Sequence, residues 1–223
     1  MDEVIEPNNN KPNEPAPKQQ NKQEINRLLS QEKIINAAQQ EFITHGYKGA
    51  TVQSIADRAE LPKANVLYYF KNKENIYHAV LQKTLDMWDD GIGDIDINDG
   101  PRVALEKFIN SKIDMSFANP SASKIYAMEI IQGAPQLNEY ARTYQRKWVR
   151  EKAKIFQHWI DNGEMADVDP ENLIYLIWST TQHYADFETQ ILTIKNQREY
   201  EQEDIDKVKS FLLDFILRGC KLK

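Results

Sequence analysis

What most constrains this chain is where its helix breakers fall. It has eight glycines and nine prolines among 223 residues, fewer than the roughly 12 % that average usage supplies. Four of the prolines (Pro7, Pro12, Pro15 and Pro17) are crowded at the N-terminus. Beyond them few residues can interrupt an α-helix, and those few are spaced like punctuation. Sandwiches and barrels need turn signals every 8–12 residues or so, and nucleotide folds need a glycine-rich loop. Neither pattern is present, so the spacing predicts an all-α array.

Residues 1–27 read as a disordered tail, because NNNKPNEPAPKQQNKQ holds almost nothing to bury. The helical period then takes over. Ser30 is a candidate N-cap for a first helix with the stripe Ile34, Ala38 and Phe42, stopped by Gly46. Thr51 caps a short second helix carrying Val52, Ile55, Ala56 and Ala59. After Leu61-Pro62, a third helix starts near Lys63 with Val66, Leu67 and Phe70 on its apolar face. Asn72 caps a fourth, with Glu74 where a carboxylate suits the helix dipole. That helix runs through Ile76, Val80, Met87 and Trp88 to Gly91 and Gly93. Further helices are expected at 101–118, 120–132, 136–161, 170–187 and 203–220. The division is a tail at 1–27, a head at 28–75 and a helical regulatory and dimerisation domain at 76–223.

The formal charge of −6 seems wrong for a nucleic-acid binder, but it is unevenly spread. Residues 30–75 hold six basic against five acidic groups, while 76–223 hold 18 against 24. The single Cys220 excludes an intramolecular disulfide and suits a reducing compartment. The N-terminus lacks the apolar stretch of a signal peptide. The longest uncharged apolar run, 172–185, is too short to span a bilayer. A cytoplasmic protein without membrane contact is expected. Four dispersed histidines (45, 78, 158 and 183), one cysteine and no phosphate loop leave no nucleophile or metal constellation, so an enzyme is not expected and no cofactor is called for. A calcium-binding module on the acidic 94–106 loop is a rival. Counting from Asp94, however, Gly100 falls at position 7 and Leu105 at position 12, where such a loop needs Gly at 6 and Glu at 12. The segment reads better as a solvated linker.

Three short helices in residues 31–70, the second and third a few residues apart, have the spacing of a helix-turn-helix. The string IINAAQQEFITHGYKGATVQSIADRAELPKANVLYYFKNKENIYHAVL, residues 34–81, resembles the TetR family of one-component bacterial repressors. The resemblance rests on Gly46, Thr51, Ile55-Ala56, Tyr68-Tyr69-Phe70 and Lys73-Glu74. LIYLIWSTTQHYADF (173–187), MEIIQGAP (128–135) and residues 68–88 are similar to its pyrimidine-utilisation, RutR-like branch. The resemblance implies a TetR-like fold: a three-helix DNA-binding head and a C-terminal ligand-binding and dimerisation bundle. It also implies a ligand-responsive repressor that reads a palindromic double-stranded DNA operator as a homodimer. The effector would be small and planar, a pyrimidine such as uracil being the candidate; a TetR-type regulator with another target and ligand is the alternative. Two positions depart from the pattern. Glu60 stands where the turn usually has Gly, and Leu67 where the wider family has Tyr.

Phosphate contact needs cations or hydroxyls at the groove edge, a role assigned to Lys48, Thr51, Tyr68, Tyr69 and Lys73. Base reading falls to the outer face of the third helix: Lys63 toward guanine, Asn65 toward adenine and Ala64 toward a thymine methyl. In the bundle, Trp178 and Gln182 lie one turn apart and suit a flat ring with an amide edge. Either could equally serve the core. Trp88 could stack on a ligand or pack a hinge, and Tyr126 and Gln132 are weaker candidates. His183 and Asp186 are read as a structural pair. Ile205, Val208, Leu212 and Phe215 form the expected dimerisation stripe.

Overall fold

The computed structural model describes residues 17–91 and 95–222. The chain order is α1 (Pro17–Gly49), α2 (Val52–Arg58), α3 (Lys63–Phe70), α4 (Lys73–Gly91), α5 (Gly100–Ala118), α6 (Pro120–Ile131), α7 (Asn138–Tyr140), a π-helical turn (Ala141–Gln145), α8 (Arg146–Asp161), α9 (Pro170–Asp186), α10 (Glu188–Lys195) and α11 (Gln202–Gly219). A short 3-10 turn, Ile97–Asp99, leads into α5. Among the described residues there is no β-strand.

α1 begins at Pro17 rather than near residue 28, so 17–27 is helix and not tail. Residues 1–16 lie outside the described residues. Pro17 suits a first helical turn, and the Gln, Lys, Glu, Leu and Arg that follow are good helix formers. Extending a formed helix is far cheaper than nucleating one. Ser30 is therefore not a cap; inside α1 its hydroxyl donates to the carbonyl of Asn26 at 2.9 Å. Gly46 does interrupt α1, at φ 67° and ψ 169°, in a region that is essentially glycine-only.

Thr51 and Ser54 form a reciprocal capping box that starts α2. Arg58 Nε donates to the buried Glu41 carboxylate at 2.6 Å, tying α2 to α1. Glu60 adopts φ 51°, so the turn into α3 accepts left-handed strain where the family pattern has Gly. Val66, Tyr69 and Phe70 face the head core, whereas Leu67 is 37 % exposed. Leu67 thus belongs to the outer face of α3, not the inner one. Asn72 Oδ1 accepts from the Asn75 amide at 2.8 Å and caps α4.

Two apolar cores result. The first joins Ile34, Phe42, Ile55 and Val66 of the head to Tyr77, Leu85 and Trp88 of α4, and continues to Ile125 of α6. The second packs Phe108, Ile113, Phe156, Trp159, Ile177 and Leu212 in the bundle. The helix expected over 136–161 runs without interruption from Asn138 to Asp161, widened by the π turn, and α10 replaces part of the expected loop after 187. Asp94 and Gly93 lie outside the described residues. Asp96 accepts from Asn98, and Asp99 pairs with Lys107 at 2.8 Å, so these two carboxylates are engaged by near neighbours.

No atom lies within 4 Å of the point where a Cβ on Gly46 would sit, so substitution there tests backbone strain alone. Gly46→Ala is expected to lose about 1–3 kcal/mol of stability, read as a lower urea midpoint at unchanged slope.

Candidate DNA interface and effector cavity

The head presents a row of polar side chains on its surface. Lys63, Ala64 and Asn65 open α3 on the exposed surface, and Tyr68 is 80 % exposed one turn after Ala64. Lys48 is exposed just beyond the Gly46 break, and Thr51 lies at the α2 N-terminus. The face opposite Val66, Tyr69 and Phe70 is therefore a polar ridge with an exposed tyrosine. Tyr69 is half-buried and packs on the head core while its ring edges against Tyr68.

Lys73 is not a free groove-edge cation. Its ammonium donates to the carbonyls of Tyr47 at 2.7 Å and Ala50 at 3.0 Å, and lies 4.6 Å from the Tyr47 ring centroid. It ties α4 to the chain entering α2, so it positions Lys48 and Thr51. Spacing could not reveal this, because the acceptors lie more than twenty residues upstream.

Trp88, Tyr126, Trp178 and Gln182, from three different helices, line one cavity. Gln132 is exposed and does not line it. Trp88 and Tyr126 meet edge to face at 4.5 Å, and Trp148 tilts against Trp178 at 5.7 Å. Gln145 donates to the Tyr126 hydroxyl at 2.7 Å. Burial raises the Tyr126 pKa above the usual tyrosine value, the Gln145 bond opposing it. Lys112, Tyr140, Tyr144, Gln145 and Trp148 complete the wall and were missed by sequence reasoning. The π turn brings Tyr144 and Gln145 to the cavity wall, and such turns recur at functional sites. Nothing in local spacing marks it.

Lys112 is 3 % exposed, and its ammonium lies 4.8 Å from the Trp88 ring centroid. Burial lowers its pKa to about 8, against the attraction of Asp186, which opposes the shift. Asp186 does not pair with His183. It accepts from the Ser123 hydroxyl at 2.5 Å, while His183 stacks on Phe187 at 4.8 Å.

The bundle's exposed apolar face also differs from expectation. Leu212 is buried in the second core, Val208 packs against that core and Ile205 is half-buried. Val208 and Leu212 point into the monomer because the inward stripe of α11 is Val208, Leu212 and Ile216. Phe215 is 63 % exposed and stacks on Phe211, itself 60 % exposed. Leu176 of α9 is exposed nearby, on a groove that Phe215 also lines.

An exposed helix-turn-helix joined by one helix to an aromatic-lined bundle cavity is the architecture of a DNA-binding transcriptional regulator. Residues 34–80 match the family model for bacterial regulatory proteins, tetR family, and residues 81–223 match that for the YcdC-like protein, C-terminal region. The HTH-type transcriptional regulator RutR of Escherichia coli (strain K12) is 36% identical over 158 residues, covering 71% of this chain and 74% of RutR. QacR of Staphylococcus aureus is 35% identical over 57 residues, 26% of this chain and 30% of its own. Among solved structures, the ketosteroid regulator KstR2 of Mycobacterium tuberculosis superposes with a TM-score of 0.69 at 18% identity, covering 85% of this chain and 94% of that one. The chain belongs to the TetR family and is a RutR-like regulator. Among the described residues, no helix is long and apolar enough to cross a membrane.

The buried Lys112 predicts a pH dependence of stability without ligand. Its pKa is about 8 in the fold against 10.5 when free. Between those values the unfolded chain binds more protons, so this contribution rises with pH across that window. Below pH 8 the full cost of burying the charge remains. Lys112→Met is expected to be more stable than the parent at pH 7 by up to about 3 kcal/mol. In thermal melts the gap should narrow toward pH 10.

Proposed function

We propose that this regulator binds a palindromic operator as a homodimer and that a small planar effector, a pyrimidine such as uracil, fills the bundle cavity and changes operator affinity. The observation that carries this reading is Trp88, which lines the cavity from α4, the helix whose other end carries the head. The indoles of Trp88, Trp148 and Trp178 suit a flat ring, and the side-chain amide of Gln182 offers a donor and an acceptor to an imide edge.

A buried route supports coupling. Tyr126, against Trp88, sits one turn before Glu129 on α6, and Glu129 accepts from the Tyr77 hydroxyl of α4 at 2.8 Å. Tyr77 packs on Phe42 and Tyr47, each at 4.9 Å, and Tyr47 carries Lys73. A ligand that displaces Trp88 thus reaches the side chains that hold the head. It acts only if it binds the two settings of α4 with different affinity. For the dimer, the supporting feature is the apolar pair Phe211 and Phe215 beside Leu176. Two heads must then span half-sites about 34–36 Å apart, or a multiple of that.

The test is gel shift on the chain's own upstream DNA with and without saturating uracil; unchanged affinity rules out uracil as effector. Lys48→Ala should weaken binding to all sequences and flatten the salt slope by about 1, whereas Asn65→Ala should cost about 1–3 kcal/mol at one base position and relax preference there. Lys73→Ala should also weaken binding across sequences, by loosening the chain before α2. Phe211→Glu with Phe215→Glu should turn a dimer into monomers in light scattering while leaving helicity unchanged.

A further inference from the structure

One side chain on the outer face of α3 differs in kind from its neighbours. Lys63, Asn65, Tyr68 and Lys71 are exposed and polar, and Leu67 stands among them 37 % exposed. The head core takes Val66, Tyr69 and Phe70 from this helix, on the opposite side. A single exposed leucine is ordinary on a protein surface; the position of this one is not. It lies four residues after Lys63 and four before Lys71, which closes the helix at φ 65°. It also lies three residues after Ala64, so the two apolar side chains are neighbours on the helix surface. The tyrosine that the family pattern places at this position could offer a hydroxyl to a phosphate. Leucine has neither donor nor acceptor to offer. Of the groups that base pairs display in the major groove, the C5-methyl of thymine is the one that asks for neither.

We infer that Leu67 is a specificity-determining residue for the operator: its side chain closes over the C5-methyl of one thymine in each half-site. It is a second apolar reader beside Ala64, with a longer reach. Lys63 and Lys71, on either side of it along α3, hold the leucine at the groove wall through the phosphates. The inference rests on the reading above that α3 faces the major groove of an operator.

The discrimination is physical. A thymine methyl and a leucine side chain each leave water when they meet, and burying one methyl is worth about fourfold in affinity. An amino group or ring oxygen at the same point would lose its water to a side chain that cannot replace the hydrogen bond. Preference for thymine then arises without a hydrogen bond, and it depends on the methyl alone.

The test uses a duplex site that the full chain recovers from a random-sequence pool. Each thymidine is replaced in turn by deoxyuridine, which keeps the pairing edge and lacks only the methyl. Affinity is read by fluorescence anisotropy for the parent, Leu67→Met, Leu67→Ala and Ala64→Gly. At one thymine per half-site the replacement should weaken the parent about fourfold, and about fifteenfold when both half-sites are changed. Leu67→Met keeps an apolar reach and should keep that sensitivity. Leu67→Ala should bind the two duplexes alike at that position, while the effects of replacement elsewhere persist. Ala64→Gly should leave that position sensitive, which separates the two apolar side chains. Leu67→Asn, close to leucine in size and polar, carries the test if Leu67→Ala does not melt like the parent. If Leu67→Ala weakens binding to thymine and deoxyuridine duplexes equally, or if no thymine loses its sensitivity in that variant, the inference is overturned and the operator reading stands. If no site is recovered, or if Lys63→Ala and Asn65→Ala also leave affinity unchanged, the reading of α3 fails and this inference fails with it.

Discussion

The hydrogen bond from the Tyr77 hydroxyl to the Glu129 carboxylate, with both side chains nearly buried, is the joint on which this molecule turns. Its burial makes it consequential. Removing either partner would strand the other in an apolar setting, which costs more than the bond itself contributes. Glu129 also accepts from the Gln136 amide at 2.5 Å, so the same carboxylate fixes the chain after α6. Burial raises the Tyr77 pKa first, and the facing carboxylate raises it further, so the phenol keeps its proton as the donor. One joint therefore registers α4 against α6, and through α4 it registers the head against the bundle.

The apolar packing repeats that arrangement. The core that organises the head does not end at residue 75 but runs along α4 to Trp88 and across to Ile125. A rearrangement at Trp88 cannot be absorbed locally, because close-packed interiors transmit strain rather than yield to it. The cavity lies at the end of that core, where aromatic rings leave a gap and a buried lysine keeps it polar. Neither feature serves folding: the gap forfeits packing and the buried cation is a cost. Their coincidence in one place is what marks a site.

Much of this was legible in the chain. Gly46, Thr51, Asn72 and Pro170 act by their own backbone and capping chemistry, which needs no tertiary partner, and they mark boundaries where expected. The exposed ridge of α3 was legible for the same reason, since its period is that of a single helix. Trp178 and Gln182 could be paired by a one-turn spacing. Leu67, Lys73 and the α11 stripe were read less well. Each has two helical faces available to it, and which one turns inward depends on a neighbour elsewhere in the chain.

The sequence by itself determined that the protein is helical, where most helices stop, and that a helix-turn-helix opens it, because breakers, caps and period are local properties. Tertiary structure alone decided that Lys73 serves the fold and that Phe211 and Phe215, not Leu212, face outward. It also decided that a π turn brings Tyr144 and Gln145 to the cavity wall, and that Lys112 is buried against Trp88. Those outcomes depend on which surfaces meet across tens of residues. Burial, pairing and the space left between rings exist only after the helices have packed.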